Sequence, residues 1–354
     1  MATINMKNKN QKNGETSKPE KFDRVVGITS AFLTAFFFNF LSCCARYVFT
    51  KNPTVQLSGP QLTFIRGFVQ LIMIGVVMAF TKTFPFQNPN DLLPLFLSGC
   101  IKATASIFCF TALKGVSVGT VCIIESTTPA VAFLFGFVFL KEKCSMLNGI
   151  LGLLTFVGIV IVMVPNIIFP VKTNYIKGYT SSVERYLLGA ASAFAGVLLR
   201  CTFKTVSRIL MMKTMDYKLF VLYPSIAMLV LSPLTMLIQQ DYLITTELPL
   251  SSWLILIVIG ISGFLGNLFS VIALKHEHVS IVAFVASTEI LFAYCYDLWL
   301  AHEAPNPYSW IGIITVVLCS TLVMLNRIFD FENKIDCCKR NSKIHKDAKS
   351  VENT

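Results

Sequence analysis

Ten continuous apolar segments, each about 20 residues long, constrain the fold of this sequence more than any other feature. A helix rising about 1.5 Å per residue needs about 20 residues to cross the roughly 30 Å hydrocarbon core of a bilayer. The segments are uniformly apolar instead of alternating, which favours helices over the strands of a membrane barrel. They lie at residues 25–46, 57–81, 92–113, 118–140, 147–165, 187–206, 219–238, 253–274, 279–300 and 310–325. The sequence therefore predicts an all-α membrane protein of about ten transmembrane helices.

The composition argues against several other classes of protein. Hydrophobic residues make up 54% of the chain and charged residues 14%, against roughly 25% charged residues in soluble domains. The basic excess lies mainly between the apolar segments, so we expect no nucleic-acid binding. The cysteines form no CxxC pair, and His276-Glu277-His278 has no third ligand nearby in the sequence, so no metal site is predicted. No catalytic set or phosphate-binding glycine loop is evident, so we expect no enzyme activity and no cofactor.

The basic residues predict the orientation in the membrane. With the N-terminus in the cytoplasm, 20 Lys and Arg residues outside the apolar segments fall on the cytoplasmic side and 6 on the other, as the positive-inside rule requires. Residues 1–24 then form a disordered cytoplasmic tail and residues 327–354 a basic one. Cys337 and Cys338 in the second tail are candidates for palmitoylation, and the alternative is a reduced, solvated tail. Plasma membrane and endomembranes are not distinguished, and a homodimer stays open.

The sequence contains an internal repeat. Residues 112–150 align without gaps on residues 273–311 with ten identities in 39 positions, including Ala112-Leu113-Lys114 on Ala273-Leu274-Lys275. This predicts one unit at residues 25–165, a connecting loop at 166–186 and a second unit at 187–326. Five spans per unit is an odd number, so the second unit enters the membrane from the opposite face. Inverted repeats of this kind support alternating access, although a duplication can also persist without function.

Short motifs in the two units resemble the EamA-type members of the drug/metabolite transporter superfamily. The first unit has Arg66, the sequence Ser126-Thr127-Thr128-Pro129, and Leu140-Lys141-Glu142 at the end of the fourth span. The second unit has Ser287-Thr288-Glu289 without the proline, and His302-Glu303. The form of residues 287–293, with Asn306-Pro307 and Gly312, is similar to solute carrier family 35, group G. The resemblance implies a ten-helix transporter with a central cavity for a small-molecule metabolite, without specifying which one.

Ionisable residues inside the apolar segments are the candidate substrate-binding residues, because each costs about 2.5 to 3.5 kcal/mol to insert. Arg66, Lys102 and Glu125 fall in one layer, about 10 to 16 Å below the outer ends of their spans at the helical rise. Glu289 reaches the same layer from the inner side, and Asn267 is a further pocket candidate. With Arg200 the layer has a net charge near +1, which suits an anionic or zwitterionic solute.

Two alternatives stay open for this layer. In the first, Lys102 and Glu125 neutralise each other and only hold two spans together. In the second, Glu125 or Glu289 binds a proton that couples transport to a proton gradient. The sequence does not separate them.

Other residues are candidates for gating or helix-end contacts. Pro129 removes a backbone hydrogen bond and predicts a kink, which either exposes carbonyls to the cavity or serves packing. Lys141, Glu142 and Glu303 lie at span ends. We therefore expect a secondary transporter of a small polar metabolite, embedded in the lipid bilayer. The alternative is a non-transporting membrane regulator or scaffold that acts through its cytoplasmic tails.

Overall fold

The computed structural model describes residues 17–51, 57–82, 89–116, 118–125, 127–135, 182–212, 216–239 and 249–286, with parts of 150–161, 288–295 and 310–325. This described part consists of helices and the turns that join or end them, and it contains no strand. Its continuous helices are, in chain order, α1 (Ser17–Lys51), α2 (Gly59–Thr81), α3 (Pro89–Gly115), α4 (Val118–Glu125), α5 (Thr128–Phe135), α6 (Ser182–Met211), α7 (Leu219–Gln239), α8 (Leu250–His276) and α9 (Val279–Ala286).

Six of these helices are long and apolar enough to cross a membrane. They cover Phe22–Phe49, Gly59–Thr81, Leu92–Leu113, Leu187–Met211, Leu219–Ile238 and Leu250–His276. The first, second, third, sixth, seventh and eighth predicted spans are therefore confirmed as helices of membrane-spanning length. Shorter apolar helices at Ile281–Ala293 and Trp310–Cys319 fall within the ninth and tenth predicted spans.

The outer surface of the helices is apolar. On α1, Phe32, Phe36 and Phe40 are each more than 40% exposed, whereas Ala31 and Ala35 are fully buried. The exposed rings lie four residues apart and so occupy one helix face. Soluble monomers rarely expose apolar surfaces of this extent, so this face of α1 is a lipid-facing one.

The ends of α2 are well defined by its sequence. Ser58 and Gln61 form a capping box, in which the Gln61 amide donates to Ser58 Oγ at 3.4 Å and the Ser58 amide donates to Gln61 Oε1 at 2.9 Å. At the other end Lys82 adopts a left-handed conformation with φ of 50°, which stops the helix. These two caps fix the register of the residues between them, including Arg66.

The long helices pack across the boundary between the two predicted units. α1 packs mainly against α8, and α3 packs mainly against α6. The first helix of each predicted unit therefore contacts the third helix of the other. α2 packs against α7 in the same way, second helix on second helix.

Two arginines make equivalent contacts in the two halves of the chain. Arg46 on α1 donates from Nη1 to the carbonyl oxygen of Leu113 on α3 at 2.8 Å. Arg208 on α6 donates from Nη1 to the carbonyl oxygen of Leu274 on α8. Leu113 and Leu274 are equivalent residues of the sequence repeat, and both lie in the last turns of their helices, whose carbonyls have no partner within the helix. We call Arg46 and Arg208 the two helix-end arginines.

The short helices α4 and α9 repeat each other as well. Val118–Glu125 and Val279–Ala286 are separated by the offset of the sequence repeat. After α4, Thr127 donates its amide and its hydroxyl to the carbonyl of Ile124, at 3.0 and 2.7 Å. After α9, Thr288 donates the same two groups to Val285, at 3.1 and 2.8 Å. The internal similarity of the sequence thus corresponds to the same local hydrogen bonds.

The structure differs from the predicted boundaries in three places. Residues 17–24 of the predicted tail and residues 182–186 of the predicted connecting loop are helical. The fourth predicted span is divided into α4 and α5 next to Pro129. Proline has no amide hydrogen to donate to the carbonyl four residues earlier, that of Glu125. The hydroxyl of Thr128 donates to that oxygen instead, so the carbonyl of Glu125 has a partner, which favours the packing alternative for Pro129.

Candidate functional site

An ion pair between α4 and α6 lies within the helix bundle. Arg200 Nη2 is 2.7 Å from Glu125 Oε1, and the two side chains are 19% and 8% exposed. The thiol of Cys109 on α3 donates to the same carboxylate oxygen at 3.4 Å. Glu125, the last residue of α4, is therefore bonded by side chains of α3 and α6. This contact fixes the end of α4, where the predicted fourth span is interrupted.

Arg66 of α2 is 5% exposed and lies close enough to Arg200 and Cys109 to interact with them electrostatically. Its Nε and Nη2 atoms are buried and have no hydrogen-bond partner in the described part of the chain. The Cζ atom is 5.7 Å from the ring centre of Phe38 and 5.9 Å from that of Phe110. Gly263 of α8 makes room for the guanidinium, because a Cβ at this position would overlap Arg66 Nε. Aromatic rings thus surround Arg66, and two of its donors remain unused.

Two buried lysines lie in the same region. Lys102 of α3 is 4% exposed, and its Nζ lies 5.1 Å from the ring centre of Phe38 and 5.2 Å from that of Phe203. Lys204 of α6 is 8% exposed and follows Arg200 by four residues, so it lies on the same helix face. Phe38 of α1 therefore contacts the cations of both Arg66 and Lys102.

Glu289, just beyond α9, is the second acidic residue of this region. Its backbone carbonyl accepts a hydrogen bond from Asn39 Nδ2 of α1 at 3.4 Å. Its side-chain Oε1 atom is buried and has no hydrogen-bond partner in the described residues. The charged side chains close enough to act on it are those of Lys102, Glu125, Arg200 and Lys204. We call these four, with Arg66 and Glu289, the buried charge cluster.

The structure places Asn267 beside this cluster, in a buried contact between helices. Asn267 Nδ2 of α8 donates to Gln70 Oε1 of α2 at 2.9 Å. Gln70 Nε2 donates onward to the carbonyl of Val221 on α7 at 3.3 Å. Gln70 lies one helical turn beyond Arg66, as Asn267 does beyond Gly263. The amide pair therefore forms a polar layer next to Arg66.

The buried charge cluster corrects one alternative drawn from the sequence. Glu125 pairs with Arg200 and not with Lys102. Among the described residues, no carboxylate lies within ion-pair distance of Arg66, Lys102 or Lys204. The cluster holds four basic and two acidic side chains, so its positive excess is larger than the sequence predicted.

Comparison with protein families identifies the chain. The sequence profile of the EamA-like transporter family matches residues 25–164 and again residues 187–325. The chain belongs to the EamA-like transporter family. The resemblance predicted from the short motifs is thereby confirmed, and the two matches cover the two halves that carry the helix-end arginines.

Named relatives of this EamA-like protein include transporters. Solute carrier family 35 member G1 of Mus musculus is 25% identical over 305 residues, covering 85% of this chain and 79% of the relative. The pseudopaline exporter CntI of Pseudomonas aeruginosa is 22% identical over 297 residues, covering 84% and 95%. A protein of known crystal structure is 16% identical, with a TM-score of 0.62, and the match covers 84% of this chain and 97% of that one. The protein is thus a multi-pass integral membrane protein of a transporter family, similar to group G of solute carrier family 35.

Several predicted site residues cannot be placed. Lys141, Glu142, Glu303, Cys337 and Cys338 lie outside the described residues. Arg66, Lys102, Glu125 and Glu289 lie in one region of the helix bundle, and their binding of a substrate stays a prediction.

Lys204 was not among the predicted site residues, although a signal for it was present. A second basic residue four positions after Arg200 in an apolar segment indicates two cations on one helix face. Phe38 and Cys109 carried no such signal, because their roles depend on contacts between helices that are distant in sequence.

Proposed function

We propose that this EamA-like protein is a secondary transporter of small polar, anionic metabolites that works by alternating access. The proposal includes ten transmembrane helices in two inverted five-helix units, with both termini in the cytoplasm. The substrate lies between the units, at the buried charge cluster. The observation that carries the proposal is the presence of three buried cations without a carboxylate partner among the described residues: Arg66, Lys102 and Lys204.

The free energies of burying these cations support a bound anion at the buried charge cluster. Three such cations cost roughly 8 to 10 kcal/mol on insertion scales. Contacts with aromatic rings return about 0.5 to 2 kcal/mol each, which does not offset the cost. An anion that accepts hydrogen bonds from these groups would satisfy the unused donors of Arg66. Carboxylate and phosphate groups match the planar donor arrangement of a guanidinium.

The repeated contacts support the alternating-access part of the proposal. The helix-end arginines make equivalent bonds in the two halves, and α4 and α9 end in the same hydrogen-bonded turn. Two units with equivalent internal bonds can exchange conformations around a shared site, which is how inverted repeats open a site to each side in turn. The packing of α1 on α8 and of α3 on α6 forms the contact along which the units would move.

The test is uptake into proteoliposomes containing the purified protein. Labelled succinate, inorganic phosphate, glutamate, alanine and choline are offered to the wild type and to Arg66→Ala. We expect uptake of at least one anion, no uptake of choline, and loss of anion uptake in Arg66→Ala. Uptake of choline in preference to the anions would overturn the anionic substrate class. A folded, monodisperse wild type that moves none of these solutes would contradict the proposed function.

A further inference from the structure

We propose that Glu289 is the proton-binding residue of this protein and that each anion crosses the membrane together with a proton carried on its carboxyl group. This inference rests on the proposed function and assigns the coupling to a particular side chain. The proton comes from the water on one side of the membrane, binds a carboxylate oxygen of Glu289, and leaves to the water on the other side after the anion.

The two acidic residues of the buried charge cluster have different surroundings. Glu125 accepts from the guanidinium of Arg200 at 2.7 Å and from the thiol of Cys109 at 3.4 Å. Donors of this kind stabilise the ionised carboxylate. Glu289 has a buried oxygen atom, Oε1, without a donor in the described residues. An ionised oxygen without a donor is costly to bury, and protonation removes that cost. Glu125 therefore already has donors for its carboxylate, and Glu289 is the acid whose oxygen is left for a proton.

The charged groups around Glu289 link its proton to the substrate. They come from three helices, while α1 contributes the neutral amide of Asn39. The charged neighbours are Lys102 on α3, Glu125 on α4, and Arg200 and Lys204 on α6. Since Arg200 already pairs with Glu125, the lysines are the cations available both to an incoming anion and to the ionised Glu289.

This shared use of cations determines the direction of coupling. An anion bound to Lys102 and Lys204 removes the positive charge that stabilises ionised Glu289, so it favours the protonated carboxyl group. Protonation of Glu289 in turn leaves both lysines to the anion and strengthens its binding. The two effects are reciprocal, as linkage between two sites demands. Anion and proton therefore travel in the same direction.

The transport experiment compares two rates in proteoliposomes. One is exchange of an anion at equal pH on both sides, and the other is uptake driven by an inward proton gradient. The probes are succinate, glutamate and inorganic phosphate. In the wild type we expect the gradient to raise uptake at least about fivefold, the lower end of measured couplings between sites. In Glu289→Gln the ratio of the two rates falls to about one, whereas Glu289→Asp restores a response to the gradient.

The outcomes separate this inference from the proposed function. A wild type that exchanges none of the three anions contradicts the proposed function, and the coupling with it. A wild type that exchanges an anion without any effect of the proton gradient overturns the coupling alone. Gradient-stimulated uptake that persists in Glu289→Gln shows that another group carries the proton.

A spectroscopic readout tests proton binding without transport. Infrared difference spectra of the purified protein are recorded between high and low pH, with and without succinate. A band of a protonated carboxyl group should grow with succinate in the wild type, disappear in Glu289→Gln and remain in Glu125→Gln. Disappearance in Glu125→Gln with persistence in Glu289→Gln would assign the proton to the other acid and refute the proposal.

Discussion

The guanidinium of Arg66 on α2 packs against Gly263 on α8, at a point where a Cβ atom would overlap its Nε atom. The position of the best-buried arginine of the charge cluster thus depends on a missing side chain on a neighbouring helix. Because α2 is capped at both ends, Arg66 cannot move away by a shift of the helix alone.

Gly263→Ala should therefore weaken anion binding. Overpacking at this position lowers stability by about 1 to 3 kcal/mol, whereas replacing glycine by alanine inside a helix raises it by up to about 1 kcal/mol. We expect a KM for anion uptake raised about tenfold, corresponding to about 1.4 kcal/mol, with a small change in melting temperature. Gly75→Ala is the matched control, because nothing lies within 4 Å of a Cβ there. Equal KM values for the two variants would show that Gly263 does not position Arg66.

The Arg200–Glu125 pair should be important for function beyond its effect on stability. Arg200→Leu leaves a buried carboxylate without its cation, which costs about 3 to 5 kcal/mol. Replacing both residues by leucine removes both charges and is close to neutral in stability. We expect the double variant to recover the melting temperature lost in Arg200→Leu, measured in detergent micelles, without regaining anion uptake. Recovery of both the melting temperature and anion uptake would mean that the pair only holds α4 and α6 together.

Thr128 should compensate for the hydrogen bond that Pro129 cannot make. Thr128→Val leaves the carbonyl of Glu125 without its donor, which costs about 1 to 3 kcal/mol. In a Pro129→Ala background the new amide at position 129 can donate to that carbonyl, so the cost should fall. Thr127→Val is the control, since the carbonyl of Ile124 keeps a backbone donor. The free energies of unfolding of the variants form a double-mutant cycle, and a coupling of zero would contradict this account.

The inverted arrangement predicts opposite faces for equivalent helix ends. α2 and α7 are the second helices of the two proposed units. Lys82 follows the end of α2, and Ile238 lies at the end of α7. In a background lacking the eleven native cysteines, a membrane-impermeant maleimide applied to intact cells should label Ile238→Cys and leave Lys82→Cys unlabelled. Labelling both from the same face would rule out the inverted units.

Much of the fold was predictable from the sequence, because membrane-spanning helices are defined by local composition. The six long spans follow from apolar length alone. Pro129 predicted a kink in the fourth span, but α9 ends in the same turn as α4 without a proline at the equivalent position. The helical state of residues 17–24 and 182–186 was not predicted, since polar residues can extend a helix beyond the bilayer without any hydrophobic signal.

The sequence singled out most of the residues of the buried charge cluster, although not Lys204, and it did not predict their pairings. Arg66, Lys102, Glu125 and Glu289 stood out because charges are rare inside apolar segments. The partner of Glu125 could not be identified from the sequence, because the choice between Lys102 and Arg200 depends on how α3, α4 and α6 pack. Gly263 likewise gains its importance only from the arginine opposite.

Each helix-end arginine joins two helices of its own half: Arg46 joins α1 to α3, and Arg208 joins α6 to α8. In the proposed cycle, each half can therefore rotate as a rigid body with its arginine bond intact. The bonds that cross between the halves are then the ones that switching has to exchange, among them Arg200 with Glu125 and Asn267 with Gln70. The energetic barrier to switching therefore lies in the polar contacts at the centre of the bundle as well as in its apolar packing.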